Sequence, residues 1–66
     1  MESLEIHSKK SNSIYTVSGT KERAFITVTG EAYSKAKVQK EIARIRQSGS
    51  DFDEAVWTAK MLASTY

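Results

Sequence analysis

The sequence predicts an α+β fold: a three-stranded antiparallel β-meander followed by two α-helices packed on one face of the sheet (β-β-β-α-α). Two observations carry this. Apolar residues recur with a period of two before Gly30, in short runs rich in β-branched and aromatic side chains, and with the helical period of 3.6 after it. The chain also has no proline, and its three glycines, Gly19, Gly30 and Gly49, fall where the pattern breaks.

Taken in order, Ser3-Leu4-Glu5-Ile6-His7 alternates as a half-buried strand does, and Ser8 to Ser13 is a polar turn. Ile14-Tyr15-Thr16-Val17-Ser18 reads as the second strand, Gly19 to Glu22 as a hairpin connection, and Ala24 to Thr29 as the third strand. Alternation points Leu4, Ile6, Tyr15, Val17, Ile26 and Val28 at the helices. It leaves His7, Ile14, Thr16, Phe25, Thr27 and Thr29 on the other face. Ser34 is the expected N-cap of a helix over 35–47, with Tyr33 placed to pack on Val38 as a hydrophobic staple. Val38, Ile42 and Ile45 form its apolar stripe, and Gly49 suits the left-handed position that closes it. Asp51, with Glu54 three residues on, starts a second helix over about 52–64. Phe52, Ala55, Val56, Ala59 and Ala63 gather on one side of that helix, and Trp57 and Met61 lie roughly opposite.

At 66 residues and 7.4 kDa the chain is one domain, 1–66. No apolar run approaches the ~20 residues needed to span a bilayer. The opening Met1-Glu2-Ser3-Leu4-Glu5-Ile6 lacks the pattern of a secretory leader, so no membrane association and a cytoplasmic location are expected. The absence of cysteine removes thiol chemistry and Cys-based zinc sites, and one histidine, His7, cannot make a His pair. Asp51, Asp53 and Glu54 suit helix capping and the helix dipole without invoking a cation. Ser48-Gly49-Ser50 lacks the lysine of a phosphate loop. No cofactor, no metal and no enzymatic activity are expected.

Binding is the remaining class, and two surfaces compete for it. Lys35, Lys37, Lys40, Arg44 and Arg46, against Glu41 alone, make the first helix strongly basic. Lys37, Lys40 and Arg44, spaced i, i+3, i+7, form a stripe opposite the apolar one. Such a stripe suits phosphate contacts, with Lys35 and Arg46 as secondary candidates. This reading makes the protein a nucleic-acid-associated or regulatory accessory protein, with the outer sheet face of Phe25, Thr16, Thr27 and Thr29 as a further candidate contact. The second reading is a protein-binding modulator or inhibitor acting through Trp57, Met61, Tyr66 and Phe25, since Trp, Tyr and Met are enriched at interfaces. A small chain without disulfides gains stability by self-association, so a homodimer using the same residues is expected.

Three resemblances accompany these readings. Ile26-Thr27-Val28-Thr29 followed by helices at 35–47 and 52–64 resembles a ribbon-helix-helix repressor, which implies a dimer whose paired strands enter the major groove. Ile14 to Ser18, a local partner for that strand, departs from the pattern. Glu31-Ala32-Tyr33-Ser34-Lys35-Ala36, with Ile42 and Ile45 behind it, is similar to the hairpin-to-helix repeat of YegP-like small α+β proteins, which implies no settled activity. A three-stranded sheet followed by a helix also resembles integrase arm-binding domains, at the level of fold only.

Overall fold

A computed structural model describes residues 2–66 and has the predicted order. Strands β1 (Glu2–Ser8), β2 (Ser13–Gly19) and β3 (Ala24–Thr29) form one antiparallel sheet in the order β1-β2-β3. A 3-10 turn (Glu31–Ser34), helix α1 (Ala36–Ser48) and helix α2 (Phe52–Thr65) follow. The register places Leu4, Val17 and Ile26 in one row and Ile6, Tyr15 and Val28 in the next. Strand alternation turns both rows toward the helices. Tyr15, Val17 and Ile26 are fully enclosed there by Val38, Ile45, Ala55, Ala59 and Leu62.

Helix α2 lies over the central strand and reaches β1 and β3, whereas α1 packs on β3 and touches α2 sparingly. The alanines explain α2's place. Ala55, Ala59 and Ala63 are all buried, and their small side chains let the helix sit close to the sheet. Thr58 and Leu62 complete the buried stripe. Asp51 caps the helix as expected, its carboxylate accepting from the Glu54 N–H at 2.8 Å. Gly49 adopts φ 70°, ψ 44° and ends α1.

Three local expectations are corrected. The N-cap of α1 is Lys35 rather than Ser34, because Glu31–Ser34 forms its own 3-10 turn and the Ser34 hydroxyl donates to Glu31 O. Tyr33 therefore sits on that turn, 63% exposed, and forms no staple over buried Val38. Strand β3 is paired along one edge with β2 of the same chain, so it is no free ribbon of the ribbon-helix-helix kind. Leu4 points to the helix side but stays exposed, since β1 is an edge strand that α2 only partly covers.

Both ends of the sheet are tied to the helices through backbone groups. At one end the Ser13 hydroxyl accepts the Ala32 N–H at 2.9 Å, joining the β1–β2 turn to the 3-10 turn. Ser11 and Ser8 extend this buried cluster of hydroxyls. Gly30 passes so close to the same turn that a Cβ there would lie 2.8 Å from Asn12 O, and its φ of 98° also favours glycine. At the other end Ala24 N–H donates to Ser50 O and Phe52 N–H to Lys21 O, joining the β2–β3 turn to the α1–α2 connection. Ser13→Ala leaves a buried N–H unpaired and is expected to destabilise by about 1–3 kcal/mol in urea unfolding.

The core also contains two hydroxyls without a partner among the described residues, Tyr15 Oη and Thr58 Oγ1. Burial first, and the neighbouring Tyr66 second, raise the Tyr15 pKa above 10.0. The folded state therefore resists an ionisation that the unfolded chain undergoes at its ordinary value. Stability from this group is complete below pH 10.0 and is lost as pH rises through that value toward the raised one. Tyr15→Phe is expected to raise the midpoint of alkaline unfolding and to leave the Tm at neutral pH unchanged or higher, as circular dichroism would read.

Candidate nucleic-acid interface

Antiparallel strands followed by a descending and a returning helix decide which charges meet. The β1–β2 turn, the start of α1 and the end of α2 fall at one end of the molecule. That end carries Lys9, Lys10, Lys35, Lys37, Lys40 and Lys60, with Glu31 and Glu41 as the nearby acids. The opposite end carries Glu2, Glu22, Asp51, Asp53 and Glu54 beside Lys21, Arg23 and, in the last turn of α1, Arg46. The net charge of +2 thus conceals a separation of charge along the molecule.

The predicted basic stripe divides into free and restrained cations. Lys37 and Lys40 are exposed and line an open cleft of about 360 Å³ between α1 and α2, with Glu41, Met61, Leu62, Thr65 and Tyr66. Among the described residues neither lysine has a carboxylate within 4.0 Å. Arg44 does: its Nε donates to Glu41 Oε2 at 2.9 Å, a pair of i, i+3 spacing on one helix face. Arg44 is thereby partly neutralised and held beside Lys40, Ala43 and Gln47 on the outer side of α1. Arg46 lies on the other flank of α1, beside Tyr33, Gln39 and β3. Lys35, the N-cap, is exposed at the head of the helix. The stripe is therefore Lys37 and Lys40, with Lys35 above them, Arg44 restrained and Arg46 pointing elsewhere.

The apolar candidates separate in the same way. Trp57 is 65% exposed and Met61 40%, both on the side of α2 that faces away from the sheet. Tyr66 folds back, half-buried, into the cleft that Lys37 and Lys40 line. Phe25 belongs to the far face of the sheet, one residue out of phase with buried Ile26, and the Arg23 guanidinium covers it at 5.8 Å from the ring centroid. One surface cannot hold all four. Met61 and Tyr66 share a cleft with the lysines, and Phe25 is excluded by the sheet itself.

A third group had no counterpart in the sequence reading. His7, Lys9 and Lys10 meet Lys60, Ala63 and Ser64 around a shallow depression of about 330 Å³ on the β1 side of α2. Its only carboxylate partner among the described residues is Glu5, 3.8 Å from His7 Nε2. The signal was present but non-local. Lys60 is distant in sequence from Lys9 and Lys10, and only the return of α2 along the sheet brings them together. Among the described residues no helix is long and apolar enough to cross a membrane. No family model, curated protein or solved structure matches this chain.

Since the Arg44–Glu41 pair is half exposed, Arg44→Gln is expected to change stability by no more than about 0.5 kcal/mol in urea unfolding.

Proposed function

We propose that this is a small non-enzymatic binding protein that associates with nucleic acid through the phosphate backbone. The observation that supports the reading most is Lys37 and Lys40 at the mouth of one cleft without carboxylate partners among the described residues. Like charges held side by side repel, and a polyanion removes that repulsion while releasing its own counterions. The acidic opposite end orients the molecule, because it turns away from the same polyanion.

With about four phosphate contacts, affinity for single-stranded or duplex DNA is expected to fall by a factor of about 50 or more between ~50 and ~200 mM salt. Lys37→Glu with Lys40→Glu is expected to weaken binding at least ~10-fold and to reduce the salt slope by about two contacts' worth. Arg44→Gln should do less than either lysine change, because Glu41 already occupies its guanidinium. Fluorescence anisotropy reads all three. Unchanged affinity in the double lysine variant would dismiss the stripe as a solvated face.

A second reading draws on the exposure of Trp57 and Met61. It makes α2 the contact for a protein target or a second copy of the chain, the protein being then a modulator or a homodimer. Sedimentation at tens of micromolar tests the second copy: a dimer that Trp57→Ala dissociates supports it, and a monomer removes it and leaves this reading a protein target alone.

A further inference from the structure

We infer that the nucleic acid bound here is a single strand, carried across the last turns of α2 from one lysine cluster to another, with Trp57 as a stacking platform for a base. This deepens the proposed nucleic-acid reading and rests on it.

The two clusters flank the same stretch of helix. Lys37 and Lys40 stand on the α1 side, at the cleft that Met61 and Thr65 share. Lys9, Lys10 and Lys60, with His7, surround the depression that Ala63 and Ser64 share on the β1 side. Residues 61–65 of α2 thus run between two cationic sites, and phosphates of one flexible strand can occupy both. Between them the helix presents Met61 and, one turn earlier, Trp57. A tryptophan 65% exposed offers a planar face that every base can use, and stacking with flanking cations is how single strands are held without sequence readout.

The surroundings of Trp57 argue against other occupants. Its neighbours one turn toward the helix start are Asp53 and Glu54, and those one turn on are Lys60 and Met61. A rigid duplex set along the outward face of α2 would bring its phosphates to Asp53 and Glu54. That face also carries no Arg, Asn or Gln to read base edges in the major groove. A stable protein interface covers ~800 Å² on each partner, nearly a fifth of the 4414 Å² surface, and is apolar at its centre. Here the tryptophan is rimmed by charges of both signs, with Met61 as its apolar neighbour. A single strand meets each feature: phosphates on the lysines, a base turned toward the ring, and the acids left to solvent.

The chain has one tryptophan, so its emission reports stacking directly. The experiment titrates the full chain with oligothymidylate of ~15 nucleotides and with a duplex of equal length at ~50 mM salt, reading anisotropy and Trp57 emission together. The expected result is quenching by the single strand, with affinity about tenfold above that for the duplex. Trp57→Ala should remove that advantage and Trp57→Phe retain part of it. Lys9→Glu with Lys10→Glu should weaken single-strand binding as strongly as Lys37→Glu with Lys40→Glu. Circular dichroism checks that each variant folds. Salt-sensitive duplex binding at equal or higher affinity, with Trp57 emission unchanged, overturns this inference and spares the nucleic-acid reading. So does full affinity after the Lys9 and Lys10 reversals. Absence of binding to either probe overturns both. Emission that shifts with protein concentration alone places a second copy on Trp57 and also overturns the inference.

Discussion

The Ser13 hydroxyl holding the Ala32 N–H is the constraint on which the basic end of the molecule depends. The chain leaves β3 through Gly30, pressed against Asn12 and Ser13, and enters the 3-10 turn at Ala32, which is fully buried. A buried N–H at that point needs an acceptor. A serine side chain supplies one without a bulky group that would hold the turn and the helix start apart. Once the contact is made, Lys9 and Lys10 on one side and Lys35 and Lys37 on the other belong to the same end of the molecule. The Ser50 and Lys21 carbonyls fix the other end in the same manner and send α2 back up the sheet.

Packing and charge are then two consequences of one path. The alanines of α2 lower it onto β2, which leaves a cleft between α1 and α2 instead of a continuous helical layer. The cleft exposes Met61 and half of Tyr66 beside the lysines, so the apolar and basic features lie on one surface. The acids that cap and start α2 serve its dipole at one end and remain far from the lysines at the other.

The fold was legible because each element announces itself locally. The period switch at Gly30, the Asp51 cap and the left-handed Gly49 are all decided within a few residues. The exposure of Trp57 and Met61 was legible too, since helical phase alone puts them opposite the alanines. The site was only partly so. Lys37 and Lys40 follow from helical spacing, but the pairing of Arg44 with Glu41 depends on rotamers, and the place of Arg46 depends on which flank of α1 meets β3. The meeting of Lys60 with Lys9 and Lys10 depends on the tertiary path. The 3-10 turn at Glu31–Ser34 displaced the expected cap and freed Tyr33, because the Ser13 contact, made from far along the chain, outweighs the local Ser34 signal.

In the proposed reading one end of this molecule is the working surface and the other is not. Amide chemical-shift mapping during titration with a short oligonucleotide tests it directly. The account predicts shifts confined to residues 9–10, 35–41 and 57–66, with 20–23 and 48–54 unmoved. Shifts centred on Thr16, Phe25 and Thr27 would move the interface to the open face of the sheet and contradict the account.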